Sequence, residues 1–222
     1  MKNFAFGDFI YDKNRNSESW TLTQLNPMCK STEIIIPRSV LVGRVSAIGN
    51  NAFANNRKLE SVTVPFSLDT IGESAFRDCS ALHEIVFSPT NTCLNIDKNA
   101  FEDCKKLRHV YFHRPVKLCS KAFYGCDNIQ IVDGKMQYVG RMAFSSCKNL
   151  TEISFDLDVE IADSAFAFCR QLNTLKFHRN IIGSLDFMEH VPKTARIVCR
   201  DDSKLTELSY LGYNVQTYYE VP

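Results

Sequence analysis

The sequence has no long apolar run and no excess of charge of either sign. Its 26 lysines and arginines are balanced by 25 aspartates and glutamates, which leaves a formal net charge of +1. A nucleic-acid or anionic-membrane partner requires a clustered basic surface, and a bilayer span requires about 20 apolar residues. We therefore expect no nucleic-acid partner and no membrane insertion. Asp8 and Asp12 interrupt the N-terminal apolar residues, so no secretory signal is predicted and the cytoplasm is the default compartment.

Signatures of common cofactor and metal sites are also missing from the sequence. It contains no G-x-G-x-x-G segment or other phosphate-cradling loop. Structural zinc sites need closely spaced pairs such as C-x2-C, and the nine cysteines include none. His109 and His113 are four residues apart, but they fall on a predicted strand, where that spacing does not form one helical face. We expect no cofactor, no metal and no catalytic residue.

Phenylalanine and cysteine, by contrast, are abundant, with 16 and nine residues respectively. The dipeptide Ala-Phe recurs six times, and successive phenylalanines are 23, 25, 22, 21 and 22 residues apart. A degenerate seventh copy follows 21 residues later at Phe187, where Asp186 replaces alanine. Regular spacing of this kind indicates a repeat architecture. The six clean copies place their phenylalanines at Phe53, Phe76, Phe101, Phe123, Phe144 and Phe166.

Other positions keep the same phase, so that each unit reads I-G-x-x-A-F-x-x-C-x-x-L-x-x-I-x-F. An aliphatic residue stands five positions before each phenylalanine, and a leucine or isoleucine stands six positions after the first six. An alternating apolar pair follows in most copies, but the fourth copy departs, with Val132 followed by Gly134. The position three residues after the phenylalanine is occupied by Asn56, Cys79, Cys104, Cys126, Cys147, Cys169 and His190.

Each unit predicts one coil of a solenoid. The L-x-x-I-x-F part alternates with the period of a strand that buries one face, and the A-F-x-x-C part has the spacing of a single helical turn. Pro65, Pro89 and Pro115 in the linkers should end the strands. One coil cannot bury its own apolar edge, whereas stacked coils can. The central prediction is that the repeat phenylalanines stack as neighbours.

The I-G-x-x-A-F-x-x-C pattern resembles the BspA-like leucine-rich-repeat family of bacteria and protozoa. The resemblance runs from about Val45 to Phe187 and implies an α/β solenoid. In that fold a right-handed superhelix carries a parallel strand sheet, with short turns on the opposite face, a β-hairpin N-cap and a helix-strand C-cap. We expect one leucine-rich-repeat domain over 1–222, with a cap and irregular first coil in 1–47, repeats in 48–199 and a C-terminal cap in 200–222.

The two ends predict these caps. Residues 4–25 have the pattern of a hairpin, with apolar stretches on either side of a polar turn. Asp201, Asp202 and Ser203 can cap a helix over Lys204–Leu211, which Gly212 would end. A final strand is predicted from Tyr213 to Tyr219.

The repeat-phase cysteines predict a column of small, buried, inert thiols. Disulfides within the column and a metal remain alternatives. Cys93, in the longest linker, is the thiol that we expect to be most exposed. His190 takes the cysteine position in the last copy, where a capping hydrogen bond is expected. An exposed thiol, with or without a histidine, also leaves open a thiol-dependent hydrolase or transferase.

Strand residues that alternate with the buried ones should point outward and form a rigid concave face. The outward pairs are Ser61 and Thr63, Glu84 and Val86, His109 and Tyr111, Ile131 and Asp133, Glu152 and Ser154, and Thr174 and Lys176.

The resemblance implies protein binding, often by secreted or cell-surface proteins. We therefore expect a non-catalytic, adhesin-like interaction module of unknown oligomeric state. Ordinary solvated strand positions and a structural oligomerising unit are the alternatives. The predicted partner-binding residues are Glu84, His109, Tyr111, Ile131, Asp133 and Glu152.

Overall fold

A computed structural model describes residues 4–15, 17–200 and 202–217. These residues form a β-solenoid of about nine turns. None of the helices in the described ranges has the length and apolar character of a membrane-spanning segment. The helices are a 3-10 helix at Asp186–His190 and α1 at Asp202–Tyr210. The strands are β1 Phe4–Phe6, β2 Phe9–Lys13, β3 Ser19–Leu25, β4 Glu33–Ile35, β5 Ser39–Val40, β6 Gly43–Ile48, β7 Ser61–Val64, β8 Thr70–Ile71, β9 Glu84–Phe87, β10 Leu94–Ile96, β11 His109–Leu118, β12 Ile131–Val139, β13 Glu152–Phe155, β14 Val159–Ile161, β15 Thr174–Phe177, β16 Ile181–Ile182, β17 Arg196–Cys199 and β18 Asn214–Thr217.

Each repeat coil has three sides, two of which are strands. The first strand column follows the L-x-x positions and contains β4, β7 and β9, then β11, β12, β13, β15, β17 and β18. The second column contains β3, β6, β8, β10, the C-terminal parts of β11 and β12, β14 and β16. The side opposite the first column therefore carries strands as well as the turns expected there. The prediction that Pro115 ends its strand was wrong, since β11 runs through it with a register shift between Phe112 and Val116.

The third side carries the Ala-Phe segments, and it consists of tight turns rather than the expected helical turn. In the second repeat, Ser74 and Asp78 flank Phe76 with φ angles of 55° and 57°. A positive φ interrupts a right-handed helix. It also turns alternate amides toward the next coil, so that the N–H of Phe76 donates to the carbonyl oxygen of Ala100 at 2.7 Å. Successive coils are thus bonded on this side too.

The phenylalanines of these turns stack as predicted. Ring centroids are 4.8 Å apart between Phe53 and Phe76, 5.0 Å between Phe76 and Phe101, and 4.9 Å between Phe101 and Phe123. The series continues at 5.4 Å and 6.1 Å through Phe144 to Phe166, always with nearly parallel rings. Phe187 ends it in an edge-on contact of 6.1 Å with Phe166. The buried aromatic column is the spine of the core.

The five repeat-phase cysteines are free thiols buried beside this column. They do more than fill space, because each one donates a hydrogen bond to the phenylalanine carbonyl of the preceding coil. The S···O distances run from 3.0 to 3.2 Å. The bonds are Cys79 to Phe53, Cys104 to Phe76, Cys126 to Phe101, Cys147 to Phe123 and Cys169 to Phe144.

At the N-terminal end, β1, β2 and β3 pair antiparallel, and β3 then pairs parallel with β6. At the other end, β18 pairs parallel with β17, and α1 lies between them in the chain. The helix begins two residues before the predicted Lys204 and ends at Tyr210, one residue before the predicted Leu211. Asp201, Tyr218 and Tyr219, which also belonged to the predicted C-terminal elements, lie outside the described residues.

Candidate partner-binding surface

The six predicted partner-binding residues lie on four strands of the first column, from β9 to β13. Glu84, His109, Tyr111 and Ile131 are exposed, and Asp133 and Glu152 are half-buried. In the β11–β12 register, His109 is opposite Ile131 and Tyr111 is opposite Asp133. Five of the six thus form one patch over β9, β11 and β12, and Glu152 lies next to Ile131 on β13. We call the outward side of the first column the strand face.

Three exposed apolar side chains lie together in the middle of the strand face. Val86 on β9, Tyr111 on β11 and Ile131 on β12 are 42%, 43% and 38% exposed. The Tyr111 ring is in edge-on contact with His113, with centroids 4.1 Å apart. Val86 was predicted to point outward but was not among the predicted site residues. Its apolar side chain on the strand next to Tyr111 was the feature of the sequence that could have identified it.

Beyond β12, polar side chains of the strand face already contact other side chains of the protein. Lys176 Nζ lies 2.5 Å from the Glu152 carboxylate, and Ser154 Oγ lies 3.0 Å from His178 Nε2. Ser154 lies on the strand face in register with Lys176, as predicted, but it is only 5% exposed. Glu152 is the one predicted site residue whose charge already has a partner in the described chain.

A break in the first column lies next to the apolar patch. β4, β7 and β9 form a separate three-stranded sheet, and within the described residues β9 and β11 share no strand pairing. A depression of about 950 Å³ lies at this position. We call it the β9–β11 cleft; it is lined by His83, Glu84, Ile85, Lys106, Arg108, His109, Tyr111 and Asn128. Three of the predicted site residues, Glu84, His109 and Tyr111, therefore line this cleft.

The break coincides with the longest repeat and with a buried arginine. The 25 residues from Phe76 to Phe101 exceed every other spacing between Ala-Phe copies. Arg114, fully buried, fills the corner of the coil. Its guanidinium donates to the carbonyl oxygens of Thr92, Pro65 and Leu68 at 3.2, 3.3 and 2.7 Å. Arg114 thus ties the long linker, through Thr92, to the linker of the preceding coil, through Pro65 and Leu68.

Two of the off-column thiols, Cys93 and Cys119, have raised pKa values. Cys93 and Cys119 are only half-buried. Burial is the main cause that raises the pKa of Cys93, and Lys117 and Arg114 offset it only in part. Burial and the nearby Asp97 raise the pKa of Cys119. A raised pKa leaves less thiolate at neutral pH, and the thiolate is the reactive species.

His190 takes the cysteine position of the last copy but does not continue the buried cysteine column. The ring is exposed at the end of the 3-10 helix, with Nε2 3.9 Å from Asp163 Oδ1. Asp163, Glu189 and His190 bring three potential metal-ligand atoms within 4.8 Å of one another, all on exposed side chains. They come from the corner after β14 and from the 3-10 helix, outside the strand face.

Comparison with known proteins identifies the repeat and the fold. The family model for the BspA type leucine-rich repeat region matches six copies, over residues 27–130 and 89–191. A T. pallidum leucine-rich-repeat protein is 21% identical, with a TM-score of 0.72 over 97% of this chain and 98% of that chain. A Bacteroides ovatus leucine-rich-repeat protein is 18% identical, with a TM-score of 0.55 over 97% and 67% of the two chains.

A third solved structure, a leucine-rich-repeat protein from Bacteroides capillosus, is 26% identical over 61% of this chain and 98% of that one, with a TM-score of 0.50. Among curated proteins, none matches the sequence significantly. The repeat model covers well over half of the sequence. The chain therefore belongs to the BspA-type leucine-rich-repeat family.

Proposed function

We propose that this protein is a non-catalytic recognition module that binds a protein partner on the strand face. The site comprises Glu84, His109, Tyr111, Ile131 and Asp133, together with Val86. One observation carries the proposal: three exposed apolar side chains stand together on β9, β11 and β12, with the polar residues Thr63 on β7 and Glu152 on β13 on either side. Proteins of this family are generally protein-interaction modules.

The energetics favour these residues over the rest of the strand face. Interface hot spots are aromatic or apolar anchors surrounded by polar residues, and Glu84, His109 and Asp133 surround the apolar patch. None of these three has an ion pair or side-chain hydrogen bond among the described residues, so a partner displaces no internal contact. The stacked coils hold the backbone in place, which lowers the entropy cost of binding.

The proposal includes the finer expectations drawn from the family resemblance. The strand face is the concave side of a right-handed superhelix, and binding serves adhesion at a cell surface. The domain is one unit over 1–222. The hairpin in 1–47 and the helix and strand in 200–222 cap the repeats of 48–199, because exposed terminal coils require caps for solubility.

The test compares variants of the apolar patch with a matched exposed aromatic elsewhere. Tyr111→Ala and Ile131→Asp should each weaken capture of a partner from host or own-cell lysate, measured by quantitative mass spectrometry and then by titration. A hot-spot residue contributes about 2 kcal/mol or more, which is roughly 30-fold in affinity. Phe168→Ala is the control, since Phe168 is 64% exposed in a turn on the third side of the coil.

Unchanged thermal unfolding would show that the variants keep the fold. Wild-type-like capture by both Tyr111→Ala and Ile131→Asp would remove the strand face as the binding site. Equal loss in Phe168→Ala would also contradict the proposal, because the effect would then not depend on the patch.

A further inference from the structure

The β9–β11 cleft has backbone groups on both sides that the strand ladder leaves open. In neighbouring coils, the residue after the repeat leucine donates its N–H to the preceding coil. His83 donates to Glu60 at 2.9 Å, Gln130 to Arg108 at 2.8 Å, and Thr151 to Gln130 at 2.9 Å. The equivalent bond from Arg108 N–H to the His83 carbonyl is missing from the backbone hydrogen bonds of the described chain. Two residues that line the cleft, Arg108 and His83, thus lack this ladder bond.

The side chains on the β11 side of the cleft add positive charge. Lys106 and Arg108 are exposed, and neither forms an ion pair with any described residue. Two other lysines of the repeats do have partners, because Lys105 lies 3.7 Å from Asp103 and Lys148 lies 3.1 Å from Asp127. Two unpaired cations therefore lie beside an open backbone N–H in the same depression.

The opposite side of the cleft differs in charge. Glu84 on β9 is the one acidic residue among those that line the depression. The cleft is therefore polarised, with its cations on the β11 side and a carboxylate on the β9 side. Tyr111 lines the same depression and connects it to the apolar patch of the strand face.

We propose that the β9–β11 cleft binds an acidic, extended segment of the protein partner, with its carboxylates on Lys106 and Arg108. This inference rests on the proposed function and names the chemistry that the strand face recognises. Arginine pairs with carboxylates through two parallel hydrogen bonds. The segment's backbone lies across the mouth of the cleft, beside the Arg108 N–H and the His83 carbonyl, which do not bond to each other.

The probe is a phage-displayed library of random linear peptides, selected on the immobilised full chain. Selected peptides should be enriched in aspartate and glutamate. A synthetic selected peptide should lose affinity about tenfold in the double variant Lys106→Gln with Arg108→Gln, and binding should weaken with added salt. The matched control is Lys105→Gln with Lys148→Gln, which removes the same charge outside the cleft and should leave affinity unchanged.

The outcomes separate this inference from the proposed function. Peptides without acidic enrichment, or equal weakening in both double variants, would overturn the acidic-segment proposal. A second contrary result is a peptide that binds the Tyr111→Ala protein more weakly but binds the Lys106→Gln with Arg108→Gln protein as tightly as wild type. This result would overturn the acidic-segment proposal and leave recognition by the strand face intact. If the peptide's affinity is unchanged by Tyr111→Ala but falls in the double variant Lys106→Gln with Arg108→Gln, the result supports the cleft as the binding site and counts against the apolar patch.

Discussion

At the scale of single residues, the repeat cysteines show what a sequence pattern can and cannot specify. Their common phase predicts a buried column, and the structure confirms it. The hydrogen bond from each thiol to a phenylalanine carbonyl was not predictable, because it depends on the positive φ angles at positions such as Ser74 and Asp78. No spacing rule encodes those angles, since serine, aspartate, asparagine, lysine and methionine all adopt them here.

The buried thiols predict a loss of stability at alkaline pH. Burial raises the pKa of Cys169 from 9.0 to about 12, and burial also raises the pKa values of Cys104, Cys126 and Cys147. Above about pH 9 the unfolded chain loses thiol protons that the folded chain keeps, so the free energy of unfolding falls as pH rises. The contribution is complete below pH 9 and is lost through the folded pKa.

Urea unfolding under reducing conditions at a series of alkaline pH values measures this effect. Each buried thiol contributes a slope of about 1.4 kcal/mol per pH unit. Cys169→Ala should therefore flatten the pH dependence by about that amount, whatever its cost in stability at neutral pH. Parallel curves for wild type and Cys169→Ala would exclude the thiol as a source of the slope.

At the scale of elements, β12 explains why the fourth repeat departs from the pattern. Its neighbours carry Phe112 and Phe155 at the second apolar position, whereas β12 carries Gly134 with a φ of 117°. A Cβ at Gly134 would lie 2.5 Å from the carbonyl oxygen of Phe112. The sequence marked the position as an exception, but only the close approach of β11 and β12 gives the reason.

Gly134→Ala should destabilise the protein by about 2–4 kcal/mol, because it adds both a disfavoured backbone conformation and a backbone clash. Gly183→Ala separates these two causes. Gly183 also has a positive φ, of 87°, but an added Cβ would meet nothing within 4 Å. Equilibrium urea unfolding should therefore show a smaller loss, about 1 kcal/mol, for Gly183→Ala. Equal losses would mean that the clash with Phe112 is relieved without cost.

At the scale of the whole molecule, the period of the repeat was enough to predict the stacking order and the strand face. It was not enough to predict the break between β9 and β11. The repeat phase continues through both strands, and only the 25-residue spacing marked the place. A long linker can either leave strand pairing intact or interrupt it. The outcome depends on side-chain packing at the corner of the coil, where Arg114 is buried. The sequence therefore predicted that Glu84 and His109 point outward. It did not predict that they line one depression together with Lys106 and Arg108.

The break also makes one coil interface weaker than the others. Between the coils of Phe76 and Phe101, the second strand column and the turn side remain bonded, but the first column does not. Phe101→Ala removes the Phe76–Phe101 stacking at this interface and leaves only the tilted Phe87–Phe112 pair among its aromatic contacts in the described residues. Phe144→Ala acts where β12, β13 and β15 are paired in sequence. A solenoid's stability is a sum over coils and their interfaces, so the same substitution should have different consequences at the two sites.

Both substitutions should lower the free energy of unfolding by about 3–5 kcal/mol. In urea, however, Phe101→Ala should lower the apparent m-value or split the transition, because the N-terminal coils then unfold separately from the remainder. Phe144→Ala should leave a single transition with a nearly wild-type m-value. Hydrogen exchange of β7 and β9 provides a second readout, since these strands should lose protection before β13 and β15 in Phe101→Ala alone. Identical m-values and exchange patterns in the two variants would mean that the two bonded sides of the coil carry the full coupling across the break.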